Sequence, residues 1–268
     1  MSKNKGAHVL LRGGGDLATG VALRLYRAGI RLVITELAQP LAVRRSVSFA
    51  EAVYARVHTV EGVLSRLVKR DQIQASLDAN EIPVLIDPDA DILTAIPFPV
   101  VVDARLMKLP PAPLPTPVPL HIGLGPGFHA GVNCHAVIET RRSHTLGRVY
   151  WNGTTQPDSG EPEGDPRRVL RTPADGILMS KANIGEHVEA GQEIAVISNQ
   201  FSVVSPFSGI LRGLIHDGLH VMQGLKIGDV DARNDASACV LVSDKALAIG
   251  GGVLEAILSK EEIRNKIF

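Results

Sequence analysis

The chain has 268 residues with 28 basic and 28 acidic side chains, and this zero net charge excludes the basic footprint of a nucleic-acid binder. Two cysteines, Cys134 and Cys239, are too few for a disulfide framework and suit a reducing, cytoplasmic compartment. The basic opening MSKNK leads into an apolar run that stops at Arg12, too short for a signal peptide or a membrane span; the expected partner is therefore a small ligand, with no nucleic acid and no membrane.

Aromatic residues make up 4% of the chain, so the core must be aliphatic, as in buried parallel sheets. His8 to Leu11 is a short apolar run ending in glycines. It is followed by DLATGVALRLYRAG, in which Leu17, Val21 and Leu25 recur every fourth residue, which predicts strand, turn and helix. Gly29 stops that helix, and Ile30 to Thr35 supply a second strand ending at Glu36. The stretch RDQIQASLDANEIPVLIDP repeats the pattern, with a helix ending near Asn80 and a buried strand from Ile82 to Ile86; Val100 to Asp103 is a further strand. Strands alternating with helices predict a parallel sheet, here a Rossmann-like α/β domain over residues 1–109.

Gly13, Gly15 and Ala18 occupy the positions of G-x-G-x-x-A between the first strand and the first helix. Glycine there lets backbone N–H groups approach a phosphate at the helix N-terminus. Arg12, Gly13, Gly14, Gly15 and Asp16 are thus the candidate cradle for a small phosphate-bearing ligand. Glu36 stands where an acid commonly binds a ribose hydroxyl, as NAD(P) would need, and Arg44 and Arg45 are candidate phosphate forks. Asp16 opens another reading, in which the carboxylate caps the helix and the glycines only make a turn. Asp87 and Asp103, at strand ends, are candidates to orient a substrate or Mg²⁺; Asp89 and Asp91 read as loop and capping residues.

Residues 110–164 open with PPAPLPTPVPL, which cannot be regular helix or central strand and reads as an extended arm. A second glycine loop, Gly123 to Gly127, precedes His129, Asn133, Cys134 and His135. A thiol between imidazole and amide groups suits a nucleophile, a sulfur or selenium acceptor, or a soft ligand, and a buried inert thiol is the alternative. With no C-x-x-C or H-x-x-x-H spacing, no metal centre is expected. GTTQPDSGEPEGDPRR reads as a linker.

Residues 165–268 contain a repeat at an offset of 33: TPADGILMSKANIGEHVEAGQEIAVI from Thr172 aligns with SPFSGILRGLIHDGLHVMQGLKIGDV from Ser205. Gly185/Gly218, His187/His220 and Gly191/Gly224 are among the identities. The pattern is similar to a smaller β-rich barrel-sandwich module of biotinyl/lipoyl type. ISNQFSVVSP, where a carrier lysine would fall, has none, so a swinging arm is not expected. The tail KALAIGGGVLEAILSKEEIRNKIF reads as a glycine triplet and then an amphipathic helix, either packed or making a contact in a homo-oligomer.

LLRGGGDLATGVALRLYRAGIRLVITELAQPLAVRRSVSFAEAV with TVEGV, then IGLGPGFHAGVNCHAVIETRR with GRVYWNG, then the repeat, together resemble the YqeB-type maturation proteins of selenium-dependent molybdenum hydroxylases. The resemblance runs from about Val9 to the final helix. It implies an accessory role toward a molybdenum hydroxylase client, and a molybdopterin-type cofactor or its nucleotide form as ligand of the first glycine loop. Within that reading Cys134 would transiently carry sulfur or selenium. Two other readings stand beside it: an NAD(P)-dependent oxidoreductase, although no Tyr-x-x-x-Lys pair occurs, and a scaffold with no small-molecule ligand.

Overall fold

A computed structural model describes residue 6, residues 8–162 and residues 164–268; the basic opening Met1 to Lys5 lies outside the described residues. By contacts the chain divides into one unit of Met1–Pro40, Phe49–Asp158 and Val242–Phe268 and another of Leu41–Ser48 and Ser159–Leu241. Among the described residues, no helix is long and apolar enough to cross a membrane.

In the first unit the aliphatic runs become strands β1 (Val9–Arg12), β2 (Leu32–Glu36), β3 (Val57–Val60), β4 (Val63–Leu67), β5 (Ile82–Ile86), β6 (Val100–Asp103) and β7 (Leu120–Leu124). Shorter strands follow: β8 (His129–Ala130), β9 (Ala136–Ile138), β10 (Val149–Tyr150) and β11 (Gly153–Thr154). Helices α1 (Asp16–Arg27), α2 (Ala52–Ala55) and α3 (Ile73–Asp78) punctuate them, and α4 (Asp244–Leu258) and α5 (Glu261–Ile267) end the chain. One nine-stranded sheet runs β10-β9-β7-β6-β1-β2-β5-β4-β3. Leu10, Val33, Leu85 and Val101 lie in one core on its face, packed with Ile73, Leu77 and Phe98.

The sheet is mixed. Its interior pairings are parallel, but β3 joins β4 and β10 joins β9 antiparallel. At the first edge the cause is local. Glu61 and Gly62, at φ 46° and 80°, form a two-residue turn between the paired Val60 and Val63, the geometry that folds a strand back on itself. The second unit is built on antiparallel sheets. The expected architecture of a Rossmann-like parallel sheet with a biotinyl/lipoyl-like barrel-sandwich is therefore corrected to a large mixed sheet accompanied by separate antiparallel sheets.

β1 sits between β2 and β6, so the chain leaves it toward one side and later returns on the other. Such a switch leaves a crevice outside the carboxyl ends of the strands, where ligands of open α/β sheets bind. α1 then packs closely on α4: a Cβ at Gly20 would lie 2.5 Å from the Ala246 carbonyl, and one at Gly250 would lie 2.7 Å from the Gly20 oxygen. The glycine triplet expected to precede the last long helix lies inside it, because close helix contact requires small residues there.

In the second unit β12 (Val169–Arg171), β13 (Gly176–Ser180), β14 (His187–Val188) and β15 (Glu193–Ile197) precede β16 (Phe201–Val204), β17 (Gly209–Leu214), β18 (His220–Val221) and β19 (Lys226–Asp231). They form two four-stranded sheets, β12-β19-β17-β14 and β16-β15-β13-β18. The sequence repeat appears as reciprocal pairing. Gly176 and Ile177 face Val221 and His220, while Gly209 and Ile210 face Val188 and His187. The hydrogen bonds repeat as well: Gly185 N donates to Leu211 O and Gly218 N to Leu178 O, each at 2.8 Å.

Candidate functional site

The first glycine loop is fixed from behind and open in front. Gly13 takes φ 91°, which favours glycine, and its N–H donates to Thr35 O at 2.8 Å. Gly14 is pressed against the chain: a Cβ there would stand 2.9 Å from Ala50 N, which itself donates to Gly14 O at 2.8 Å. Thr19 Oγ1 bridges the two segments, donating to Gly14 O at 3.3 Å and accepting from Phe49 N at 2.9 Å. Gly15 differs from both. It is the N-cap of α1 at φ −65° and ψ −178°, with no side-chain cap, and a Cβ there would meet nothing within 4 Å. Neither backbone conformation nor packing requires glycine at this position.

Asp16 turns onto its own helix, accepting from Leu17 N at 3.0 Å. Glu36 closes the loop from the end of β2, its Oε1 accepting from Gly14 N at 2.8 Å and its Oε2 from Leu37 N at 2.6 Å. Burial raises its pKa above the ordinary carboxylate value, against the lowering effect of those two amides. The carboxylate holds the glycine loop in shape.

On the other side of β1 lies a compact charged group. Asp103, fully buried at the end of β6, accepts from Arg105 Nε at 2.9 Å and Nη2 at 2.7 Å, and pairs with Arg12 Nη1 at 3.4 Å. Arg12, 4% exposed, also donates from Nη2 to Pro88 O at 3.0 Å. A Cβ on Gly13 would lie 3.6 Å from Arg105 Cγ, so this arginine stands beside the loop. Sequence reading assigned Arg105 no part in phosphate binding. Its position at the end of a strand neighbouring the glycine strand was the available signal. Asp87 spends both oxygens on its own loop, accepting from Asp91 N at 2.9 Å and Ile92 N at 3.0 Å.

Arg44 and Arg45 belong to the second unit, where Arg44 Nη2 donates to Ala238 O at 2.7 Å and Leu241 O at 3.1 Å, and Arg45 Nε to Leu214 O at 3.0 Å. Cys134 is buried in a small apolar cluster with Phe128, Ala130 and Val137, with Met107 packed against it. Burial pushes its thiol up to about 11. The neighbouring polar groups serve the backbone: Asn133 Oδ1 accepts from His129 N and His135 Nδ1 from His121 N, both at 2.8 Å. Among the described residues, no group of three or more His, Cys, Asp or Glu is placed to hold a metal ion.

One buried side chain was missed altogether. His121, the polar residue within the buried strand LHIGL, is 8% exposed, and its Nε2 has no hydrogen-bond partner. Its ring meets Phe128 edge to face at 6.0 Å between centroids.

No family model matches the chain. It is 44% identical over 255 residues to the uncharacterized protein YqeB of Escherichia coli strain K12, covering 93% of this chain and 47% of that relative. The chain thus spans about half the length of the curated relative it matches. Among solved structures, an aspartoacylase family protein from Mesorhizobium loti aligns over 84% of this chain and 85% of that one, at 12% identity and a TM-score of 0.27. A succinylglutamate desuccinylase/aspartoacylase from Rhodobacter sphaeroides aligns over 84% and 85%, at 14% identity and a TM-score of 0.29. Likenesses this slight transfer no activity.

Proposed function

We propose that this homologue of YqeB is an accessory factor in the maturation of selenium-dependent molybdenum hydroxylases, and that it holds a phosphate-bearing cofactor of molybdopterin or nucleotide type at the Gly13–Asp16 loop. The two halves of the reading have different support. The client half comes from the motif resemblance. The ligand half is carried by Gly15, a glycine that the fold does not need, at the N-cap of α1 and the carboxyl end of β1, next to Asp16, whose carboxylate accepts from Leu17 N. A missing side chain at that point lets a phosphate reach the helix amides.

Arg12 and Arg105 stand beside the loop as the cations nearest a bound phosphate, with Asp103 between them, and Glu36 keeps Gly14 in position. The bound group would supply the cofactor chemistry; the chain's own part is to bind and orient its phosphate.

The test is a thermal-shift screen of the full chain against NAD, NADP, ATP, CTP, FAD and a molybdopterin source, in wild type and Gly15→Val. A ligand at a hundred times its dissociation constant adds about 2.7 kcal/mol of stability. A shift in wild type that Gly15→Val abolishes supports the reading, and the compound responsible separates a maturation factor from a dehydrogenase. No shift with any of these compounds overturns the ligand half. Loss of the gene with undiminished activity of a client hydroxylase overturns the other.

A further inference from the structure

The phosphate reading uses the outer edge of the crevice and leaves two buried nitrogens behind it unexplained. Arg12 Nε and His121 Nε2 are both buried without a hydrogen-bond partner, on side chains at least nine-tenths removed from solvent. An unmet buried polar group costs about 1 to 3 kcal/mol, so each of these nitrogens calls for a hydrogen-bond partner.

They belong to one cluster. Arg12 on β1 stands opposite Asp103 on β6, and Val101, two residues earlier on β6, stands opposite His121 on β7. Side chains alternate along a strand and register partners share a face, so Arg12, Asp103 and His121 project from the same face of the sheet. The groups also act on one another: Asp103, Arg12 and Arg105 all bear electrostatically on His121. Burial holds the His121 pKa down to about 4, so its ring is neutral near pH 7. Asp103 is already claimed by both guanidinium groups, and Asp87 and Asp89 act on Arg12 from farther out, so neither arginine lacks counter-charge and what is unmet is the Nε hydrogen bond itself.

The nature of these atoms restricts what can meet them. Arg Nε is a donor only, so its partner must be an acceptor. A neutral imidazole protonated at Nε2 is a second donor. With the His121 proton on Nε2, two buried donors face the same side of the sheet, and an oxygen acceptor carried by a ligand satisfies both.

We infer that the crevice contains a buried oxyanion subsite, in which Arg12 Nε and His121 Nε2 donate to a carboxylate or to a phosphate oxygen. The inference rests on the ligand reading above and deepens it: the ligand carries an anionic oxygen that passes behind the glycine loop, beyond the group held by the α1 amides.

The experiment uses the full chain labelled with ¹⁵N-histidine. The His121 ring nitrogens are followed by NMR while inorganic phosphate, and separately acetate, is added. The expected result is a saturable shift of the His121 Nε2 signal. Loss of one charge-assisted hydrogen bond in Arg12→Lys should weaken it by about tenfold. Because Arg12→Lys also disturbs a buried ion pair, His121→Phe is the second variant; it keeps an aromatic ring but has no donor, and phosphate affinity measured by calorimetry should fall about as far. A response to phosphate alone identifies a phosphate oxygen, and a response to both anions a general carboxylate or phosphate site. A His121 ring that shows no saturable response to either anion overturns the inference, as does an affinity that neither variant changes.

Gly15→Val separates the two readings. A His121 response retained in that variant, with nucleotide or cofactor stabilisation lost, supports both. Stabilisation of the wild type by a cofactor with a silent His121 overturns this subsite and leaves the loop reading standing.

Discussion

Asp103 receives two side-chain nitrogens of Arg105, at 2.9 and 2.7 Å, with the Arg105 backbone N–H at 3.3 Å, and a further nitrogen from Arg12 at 3.4 Å, while its own side chain is buried. The two arginines are unequal: Arg12 is 5% exposed in its side chain and Arg105 30%. Replacing Asp103 by Asn leaves a buried guanidinium without its counter-charge, at a cost of about 3 kcal/mol. Arg105→Gln removes a half-wet partner and should cost clearly less. Urea unfolding of both variants checks the order, and equal losses would show that Arg12 does not depend on Asp103.

The stability of the fold should fall on mild acidification, with His121 responsible for a defined part. Its folded pKa, about 4, lies below the ordinary histidine value, so the unfolded chain binds more protons between the two. The contribution is therefore present above about pH 6.5 and lost as pH falls toward 4, amounting to about 3 kcal/mol in full. His121→Gln should flatten the stability profile across that window. A profile that the substitution leaves unchanged would place the pH dependence elsewhere.

The close approach of α1 and α4 predicts opposite effects for glycines one residue apart. A Cβ at Gly250 would press on the Gly20 carbonyl oxygen at 2.7 Å, whereas one at Gly251 meets nothing within 4 Å. Gly250→Ala should destabilise by about 1 to 3 kcal/mol through overpacking. Gly251→Ala, in the same helix, should stabilise by roughly 0.5 to 1 kcal/mol. Thermal melts of the two variants give the comparison directly; destabilisation by both would mean that the triplet serves something other than packing.

Cys134 should react slowly. With its thiol pushed up to about 11, only about one molecule in a thousand is thiolate at pH 8. Iodoacetamide labelling of the native protein, with Cys239 replaced by Ala, should be far slower than labelling of the unfolded chain and should rise steeply with pH. Fast labelling at pH 7 would support Cys134 as a sulfur or selenium acceptor, and slow labelling the buried, inert thiol.

Much of the first unit was legible. The bounds of β5 and β6 follow directly from the apolar runs Ile82–Ile86 and Val100–Asp103, and α1 from the spacing of Leu17, Val21 and Leu25. What escaped depended on distance in space. The glycine triplet looks like a helix breaker until Gly20 is placed against it. Arg44 and Arg45 are near the loop in sequence, but they bind carbonyl groups in the second unit. The edge hairpin was legible in principle, since Glu61-Gly62 between Val60 and Val63 is a hairpin signal, yet the regular alternation of strand and helix overrode it. His121 carried the faintest signal, a lone imidazole in an aliphatic strand, and only its unmet Nε2 distinguishes it from an ordinary buried histidine.

The reciprocal pairing in the second unit has a consequence for how its halves fold. Each half lends its short middle strand to the other half's sheet, β14 to β17 and β18 to β13. Neither half alone would satisfy its own strand edges. Each half therefore depends on the other for its hydrogen bonds, and the two should fold as one cooperative unit. An isolated half should accordingly self-associate or remain unfolded, and two halves mixed as separate peptides should find each other.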